Sequence, residues 1–168
     1  MIDQLMKSCG EISSSKEMID KMIEVQSIIG QMPGARFGDD ACPLKHSFAD
    51  GLYIREIFMP KGIIAVSELH KKSYPYFVLE GDLSVIVPGG LVRIKAPYFG
   101  ITEAGTKRVL YIHEDTHWIN VHATDETDVE KMREEFTVKT YDELPELVKK
   151  TLETTDKERE LIWHSHSL

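Results

Sequence analysis

Apolar residues recur every three or four positions between residues 14 and 30, and this spacing predicts one amphipathic helix. Its start is marked by Ser14 and Glu17, because the serine hydroxyl can accept a free backbone N–H while the glutamate reaches back to the cap residue. Gly30 and Pro33 supply the stop. We expect the apolar stripe to lie in the core or in a dimer contact; its members are Met18, Ile19, Met22, Ile23, Ile28 and Ile29.

The pattern changes to short apolar runs between residues 51 and 124, each bounded by Gly, Pro or Asp, and these runs predict strands. The stretch Glu80-Gly81-Asp82 is expected to form a turn or kink within the third strand. Many short strands without intervening helices favour a sandwich or a closed barrel over a parallel sheet. The predicted strands cover residues 52–59, 63–70, 76–87, 91–94, 100–103, 107–113 and 116–123.

Two further capping boxes, Thr127–Glu130 and Thr140–Glu143, predict helices of about two and three turns after the strands. Pro145 is expected in the first turn of the second helix, where its missing N–H costs least. The chain is therefore predicted to form one compact domain with three parts. These are an N-terminal helix and irregular lead-in (1–50), a β-barrel (51–124) and a C-terminal helical extension (125–168).

Composition limits the classes of function. The net charge is −8, with most of the acidic excess in residues 125–160, which argues against non-specific nucleic-acid binding but leaves room for a small anionic ligand. The two cysteines, Cys9 and Cys42, form no close pair, as is usual in a reduced cytosolic protein. Because no apolar run approaches 18 residues, we expect neither membrane insertion nor export, and a cytoplasmic location.

Gly62, His70 and the run Phe77–Gly81 resemble the first motif of the cupin superfamily, and Gly105–Arg108 resembles the start of the second. Cupins are antiparallel jelly-roll barrels whose mouth commonly holds a divalent metal, so the resemblance implies such a barrel for residues 51–124. Other stretches resemble small cupin-like proteins of tailed bacteriophages whose activity is unassigned, which would place the protein in the host cytoplasm. Those stretches are residues 55–57, 60–62, 105–108 and 114–118.

The metal-binding cupin pattern places three histidines and a carboxylate at positions that here hold Glu68, His70, Tyr74 and Arg108. Alternate residues of a strand share one face, so Glu68 and His70 are expected side by side, able to ligate Fe, Mn, Ni or Zn with Tyr74 as a third ligand. A permanent cation opposes a divalent ion. Arg108 is therefore expected to pair with Glu68 or to hold an anion.

The last predicted strand places Trp118, Asn120 and His122 on one face. If that face points inward, His122 completes a two-histidine, one-carboxylate metal site with His70 and Glu68; the alternative is an aromatic and a satisfied histidine closing the core.

Arg55 either pairs with a surface acid or lies inward. In the second case the barrel has cationic donors and flat walls that suit a small anion with a ring, such as a nucleotide-derived molecule. This lining consists of Arg55, Arg108, Tyr74, Tyr76 and Trp118.

The remaining histidines carry weaker hypotheses. His46 is expected at the surface or in packing, and His113 at the surface beside an apparent turn at Glu114-Asp115. The pair His164 and His166 could chelate a metal but is usually solvated at such a position. Three functions remain open: a binding protein for a small anion, a metal-dependent enzyme of oxygenase or isomerase type, and a structural or interaction protein. A homodimer is expected to use the Met/Ile stripe of residues 14–30 and the faces of the sheet.

Overall fold

The computed structural model describes residues 14–87 and 90–165, and their side chains up to residue 159 except that of Asp39; Cys9, His166 and the side chain of His164 lie outside the described part. Within that part an antiparallel β core is flanked by helices. The helices are α1 Ser15–Gly30, α2 Val129–Phe136 and α3 Glu146–Ser165. The strands are β1 Leu44–Ala49, β2 Leu52–Met59, β3 Ile64–Val66, β4 Leu69–His70, β5 Tyr74–Val87, β6 Gly90–Lys95, β7 Tyr98–Thr102, β8 Val109–Ala123 and β9 Thr137–Val138.

Two long central strands, β5 and β8, run side by side through two half-sheets. In the first, which we call the site half-sheet, the C-terminal part of β8 pairs with β2 and the N-terminal part of β5 pairs with β7, while β1 lies outside β2. In the second, the helix-covered half-sheet, the N-terminal part of β8 pairs with β3 and the C-terminal part of β5 pairs with β6. The fold thus rolls one antiparallel sheet around its two longest strands.

The bend between the half-sheets lies at Gly81. The register between β5 and β8 shifts there, between Val78 and Leu83. Gly81 has a φ of +109°, and a Cβ at this position would lie 2.2 Å from Thr116 Oγ1 and 2.7 Å from the Thr116 Cα. Only glycine fits both the backbone conformation and the close approach of β8. The predicted kink at residues 80–82 is confirmed.

Helix α1 begins as predicted. The Ser14 hydroxyl accepts the N–H of Glu17 at 3.2 Å. A second acceptor comes from α3, because the carboxylate of Asp156 accepts both the backbone N–H (2.8 Å) and the hydroxyl (2.7 Å) of Ser15. The two ends of the described chain are therefore joined at the start of α1.

The apolar stripe of α1 covers the outside of the helix-covered half-sheet. Met18 and Met22 are 3% and 2% exposed and pack with Val25 against Ile86 and Val109. The core alternative is confirmed for Met18, Ile19 and Met22, whereas Ile28 near the end of the stripe is 49% exposed. The methionines of the stripe are not available for a dimer contact, and that part of the dimer prediction is wrong.

The lead-in before residue 51 is not wholly irregular. It contains β1, which pairs with β2 in a hairpin whose two-residue loop is Asp50-Gly51. Asp-Gly between alternating residues is a strong hairpin signal, and Gly51 has the positive φ of +72° that such a loop requires. The sequence therefore contained the information for this strand.

Other predicted boundaries also move. The segment 63–70 forms two short strands rather than one, and the segments 107–113 and 116–123 form the single strand β8, in which Glu114 pairs with Asp82 instead of turning. The cap of α2 is Asp128, whose carboxylate accepts the N–H groups of Glu130 and Lys131. Helix α3 is longer than predicted and begins after Pro145, whose carbonyl accepts the N–H of Lys149 at 3.1 Å.

Candidate functional site

The inner face of the site half-sheet is polar and aromatic. Register places Arg55 of β2 beside Asn120 of β8, and Asn120 beside Tyr76 of β5. Because alternate residues of a strand share a face, Trp118 and His122 point to the same side as Asn120. All four β5 and β8 side chains are at least 93% buried, since their exposed fractions lie between 4% and 7%. The structure thus brings the predicted inward face of β8 into the interior.

Arg108 lies over an aromatic stack. The rings of Tyr76 and Trp118 are parallel, with centroids 4.4 Å apart and an interplanar angle of 8°. The Arg108 guanidinium carbon lies 5.3 Å from the Tyr76 centroid and 5.8 Å from the Trp118 centroid. Its Nη2 donates to the hydroxyl of Thr102 at 2.9 Å, and Trp118 Nε1 donates to Asn120 Oδ1 at 2.7 Å. Cation–π contacts and one neutral acceptor therefore hold this guanidinium.

Two buried histidines flank Tyr74. The Tyr74 hydroxyl lies 2.9 Å from His70 Nε2, and the Tyr74 ring contacts the His122 ring with centroids 4.2 Å apart. Phe136, from α2, stacks on His122 at 4.3 Å, and Tyr53 stacks on it at 5.7 Å. Side chains from strands and from the C-terminal extension thus close this end of the interior.

Burial keeps both histidines neutral. Desolvation, followed by the charges of Arg108, His122 and Arg55, lowers the pKa of His70 to about 3. Desolvation and then the charge of Arg55 lower the pKa of His122 to about 4. At neutral pH each ring therefore offers one donor and one acceptor nitrogen.

Arg55 lies inward rather than on the surface. Its register partner Asn120 is buried, and its charge acts on the pKa values of His70, His122 and Tyr74, which are all interior groups. Within residues 14–87 and 90–159, no carboxylate forms an ion pair with this half-buried guanidinium. The surface alternative for Arg55 is therefore wrong.

The two basic residues of the predicted second motif point in opposite directions. Arg108 points inward, whereas Lys107 lies under α1, where its Nζ donates to Gln26 Oε1 (2.6 Å) and to the Ser67 carbonyl (2.7 Å). Desolvation lowers the pKa of Lys107 to about 8. Lys107 thus connects α1 to the segment that carries Arg108.

Glu68 is not part of the interior. Strand β3 ends at Val66 and β4 begins at Leu69, so Glu68 lies in the connection and does not share a strand face with His70. Its carboxylate accepts from Arg133 Nη2 at 2.9 Å. The predictions that Glu68 stands beside His70 and that it pairs with Arg108 are wrong, because the strand is interrupted.

The residues do not fit the predicted metal site. His70 and His122 lie on either side of Tyr74, but Glu68 is held by Arg133, and two arginine charges act on the histidines. Within the part of the chain that the structure describes, no three His, Cys, Asp or Glu side chains are placed to hold one ion. Glu68, the predicted carboxylate ligand for Fe, Mn, Ni or Zn, therefore does not lie beside the two histidines.

The other predicted histidines have local partners. His46 Nδ1 lies 2.7 Å from the Tyr53 hydroxyl, and His113 Nε2 lies 2.7 Å from the Ser84 hydroxyl. Both are half-buried, which agrees with packing for His46. His113 lies within the continuous strand β8 and not beside a turn, so its predicted setting is wrong. The surface depression formed by residues 35–37 and 40 contains none of the predicted site residues.

Sequence reasoning missed three residues of the interior: Tyr53, Thr102 and Phe136. The position of Tyr53 has a signal, since it precedes Arg55 by two residues on the same strand. Thr102 and Phe136 have none, because they come from an edge strand and a helix distant in sequence.

No protein-family description matches the chain, and no curated protein matches it significantly. Solved structures do. The structure of KdgF from Halomonas sp. is 13% identical, with a TM-score of 0.46 over 58% of this chain and 90% of that one. The cupin domain of Cnp3 from Schizosaccharomyces pombe is 19% identical, with a TM-score of 0.43 over 63% and 79%. The Cupin_2 domain of a XRE family transcriptional regulator from Enterobacter cloacae is 13% identical, with a TM-score of 0.43 over 51% and 99%.

These similarities are weak and carry no argument about fold, ligand or reaction. The chain's own topology, an antiparallel sheet rolled around two long strands with a helix before it and helices after it, confirms the predicted all-β core with N- and C-terminal helices. No helix in the described ranges is long and apolar enough to cross a membrane.

Proposed function

We propose that this protein binds a small anionic molecule in the rolled sheet, with Arg55 and Arg108 as the anchoring cations. The observation that carries the proposal is the pair of inward arginines without a carboxylate partner among the described residues. A guanidinium presents a planar fork of donors that suits carboxylate and phosphate groups.

The electrostatics of the interior support an anion rather than a cation. Buried or half-buried charges are normally paired, because removing an unpaired charge from water is costly. Two acids whose charges reach this region have other partners: Glu68 pairs with Arg133, and Glu135 pairs with Lys72. An anion between Arg55 and Arg108 would therefore supply the missing counter-charge in a protein whose net charge is −8.

The neutral groups around the arginines suit a ligand with a flat polar ring, such as a nucleotide-derived molecule. In this proposal Tyr76 and Trp118 form the aromatic wall, and Asn120 presents an amide beside it. His70 and Tyr74 orient the ligand through a ring nitrogen and a hydroxyl that already contact each other. Aromatic walls with a few convergent polar groups are typical of small-molecule sites.

Isothermal titration calorimetry with three probes tests the proposal: adenosine 5′-monophosphate, ribose 5-phosphate without the base, and adenosine without the phosphate. We expect adenosine 5′-monophosphate and ribose 5-phosphate to bind, adenosine 5′-monophosphate more tightly. Both should bind more weakly at high salt. Replacing Arg108 by Gln removes a charge-assisted contact worth about 1.5–3 kcal/mol, so affinity is expected to fall about ten- to hundredfold.

The matched control is Arg93→Gln, which changes the net charge equally but removes an exposed arginine held by Asp82. Its affinity should equal that of the wild type. Binding of adenosine alone, or equal binding by Arg108→Gln and the wild type, contradicts the anion proposal.

The metal-dependent enzyme remains an alternative with a direct measurement. Protein purified without a histidine tag, analysed by elemental mass spectrometry, should contain about one equivalent of a transition metal if His70 and His122 hold one, and the His70→Ala variant should lose it. The arrangement of Glu68 and of the two arginines supports the opposite result. Neither metal nor anion binding would favour the third alternative, a structural or interaction protein.

We also propose an accessory or counter-defence role during phage infection, which is supported only by the sequence resemblance to small phage proteins. Plating efficiency of phage on defence-bearing host cells expressing the wild-type protein or the Arg108→Gln variant tests it. A rise in phage plating efficiency with the wild-type protein but not with Arg108→Gln supports the role. Equal plating efficiency with and without the protein contradicts it.

A further inference from the structure

The outer face of the site half-sheet is apolar and uncovered. Register places Phe77 of β5 between Phe99 of β7 and Ile119 of β8, and places Pro75 beside Ile101. Phe99 is 75% exposed and Ile101 is 56% exposed. These residues alternate along their strands with the buried ones of the interior, so they all point away from it. We call this surface the outer aromatic face.

Charged residues are few on the outer aromatic face, and three of the four are paired with one another. They are Lys45, Glu56, His117 and, at the border with the helix-covered half-sheet, Glu80, whose register partner is His117. Glu56 accepts from Lys45 at 2.9 Å and lies 3.0 Å from His117 Nε2. The hydrogen bond from Lys45, followed by the one from His117, lowers the pKa of Glu56, so the carboxylate is ionised at neutral pH. A partner for this face therefore needs no complementary charge, and an identical face meets that condition.

The size of the face agrees with a contact between two copies. Five strands about 4.8 Å apart, with two outward positions on β7 and three or more on each of the others, give a patch of roughly 24 Å by 20 Å. Two such patches remove about 1,000 Å² from water, which is the lower limit for a specific interface. An apolar outer face can also be covered by an element of the same chain, as α1 covers the outer side of the neighbouring helix-covered half-sheet. The outer aromatic face has no such cover in the described part of the chain.

We propose that the outer aromatic face is the contact between two copies of this chain, related by a two-fold axis, with Phe77, Phe99 and Ile101 at its centre. A two-fold axis places the same patch on both partners. An apolar surface whose few charges are mostly paired with one another suits such a contact. The contact leaves the inner face, and with it the anion site, free in each copy. The dimer proposal is therefore independent of the proposed function.

Light scattering coupled to size-exclusion chromatography tests the contact over a wide range of protein concentration. We expect a molar mass of twice 19.2 kDa for the wild type and a return to 19.2 kDa for Phe99→Lys. The matched control is Leu147→Lys on α3, because Leu147 is exposed to the same degree (77%) but lies away from the sheet. This control should remain dimeric.

The proposal is overturned if the wild type is a monomer at every concentration, if it forms species larger than a dimer, or if Phe99→Lys remains dimeric. Circular dichroism checks that Phe99→Lys is folded, and Ile101→Lys replaces it if it is not. Amide hydrogen exchange on the wild type needs no variant. Slower exchange in β5 and β7 at high concentration supports the contact, and slowing confined to other elements contradicts it.

Discussion

The two half-sheets share β5 and β8 but use them differently. In the helix-covered half-sheet four successive residues of β5, from Leu83 to Ile86, are buried, because the core lies on one side and α1 on the other. In the site half-sheet burial alternates strictly from Tyr74 to Leu79. One half is therefore a sealed apolar layer, while the other keeps a polar interior on one face and an uncovered apolar surface on the opposite face.

This difference explains where chemistry can occur. One apolar core runs through both halves, with Leu83 and Ile112 in the helix-covered half and Val78 and Trp118 in the site half. The site half adds polar inward side chains such as Asn120. Polar interiors are costly unless their groups find partners. The apolar half and its helix thus stabilise a fold whose other half contains the arginines and neutral histidines.

The largest expected effect comes from destroying the bend that separates the halves. In Gly81→Ala the new Cβ would overlap Thr116 and occupy a positive φ, so we expect a loss of at least about 3 kcal/mol in the free energy of unfolding, measured by urea denaturation. Gly62→Ala is the matched control, because Gly62 also has a positive φ (+85°) but has no atom within 4 Å of the new Cβ. It should lose only about 1–2 kcal/mol. Equal losses in both variants would show that the close approach of β8 does not matter.

Acid should also destabilise the protein, by less per pH unit than Gly81→Ala does, and the loss should arise in the site half. The pKa values of His70 and His122 are lowered in the folded protein, to about 3 and about 4. Below pH 6.5 the unfolded chain binds protons at these groups and the folded chain does not, so stability is full above pH 6.5 and is lost as pH falls toward the folded pKa values. Each histidine contributes a slope approaching about 1.4 kcal/mol per pH unit in that window.

Urea denaturation at several pH values between about 6.5 and 4 measures this slope. The variant His122→Gln should reduce it by the contribution of one histidine. An unaltered slope in His122→Gln would mean that this ring is not kept neutral by burial.

The smallest effect is expected at Glu68, which lies outside both halves. Its pairing with Arg133 is largely solvent-exposed, so Glu68→Gln should change the free energy of unfolding by less than about 1 kcal/mol. The same variant should bind ribose 5-phosphate as the wild type does, because the carboxylate is not in the interior. A large change in affinity would mean that Glu68 takes part in binding the ligand.

Much of the fold is predictable because its signals are local. The alternation and the flanking turns give β2 the same bounds in prediction and structure, Leu52–Met59, and the capping pair at Ser14 gives the start of α1. The pattern divides β8 in two because Glu114-Asp115 has the composition of a turn. In the structure these exposed acids lie where the sheet bends, and the strand continues through them.

The site is predictable only where one strand carries it. The period of two places Trp118, Asn120 and His122 on a common face, and the structure brings that face inward. The same rule fails for Glu68, because β3 ends two residues earlier. Contacts of Thr102 and Phe136 depend on an edge strand and on a helix, whose approach no local pattern records.

The bond between Ser15 and Asp156 has a consequence for the order in which the molecule is completed. Ser15 is among the first described residues, and its acceptor is made 141 positions later, so α1 can acquire this second cap only after residue 156 has been synthesised. Until then, α1 covers the outer side of β5 and β8 without the hydrogen bonds from Ser15 to Asp156 at its first turn. A chain shortened before residue 156 should therefore show faster amide exchange in the first turn of α1, although no residue of that helix has been altered.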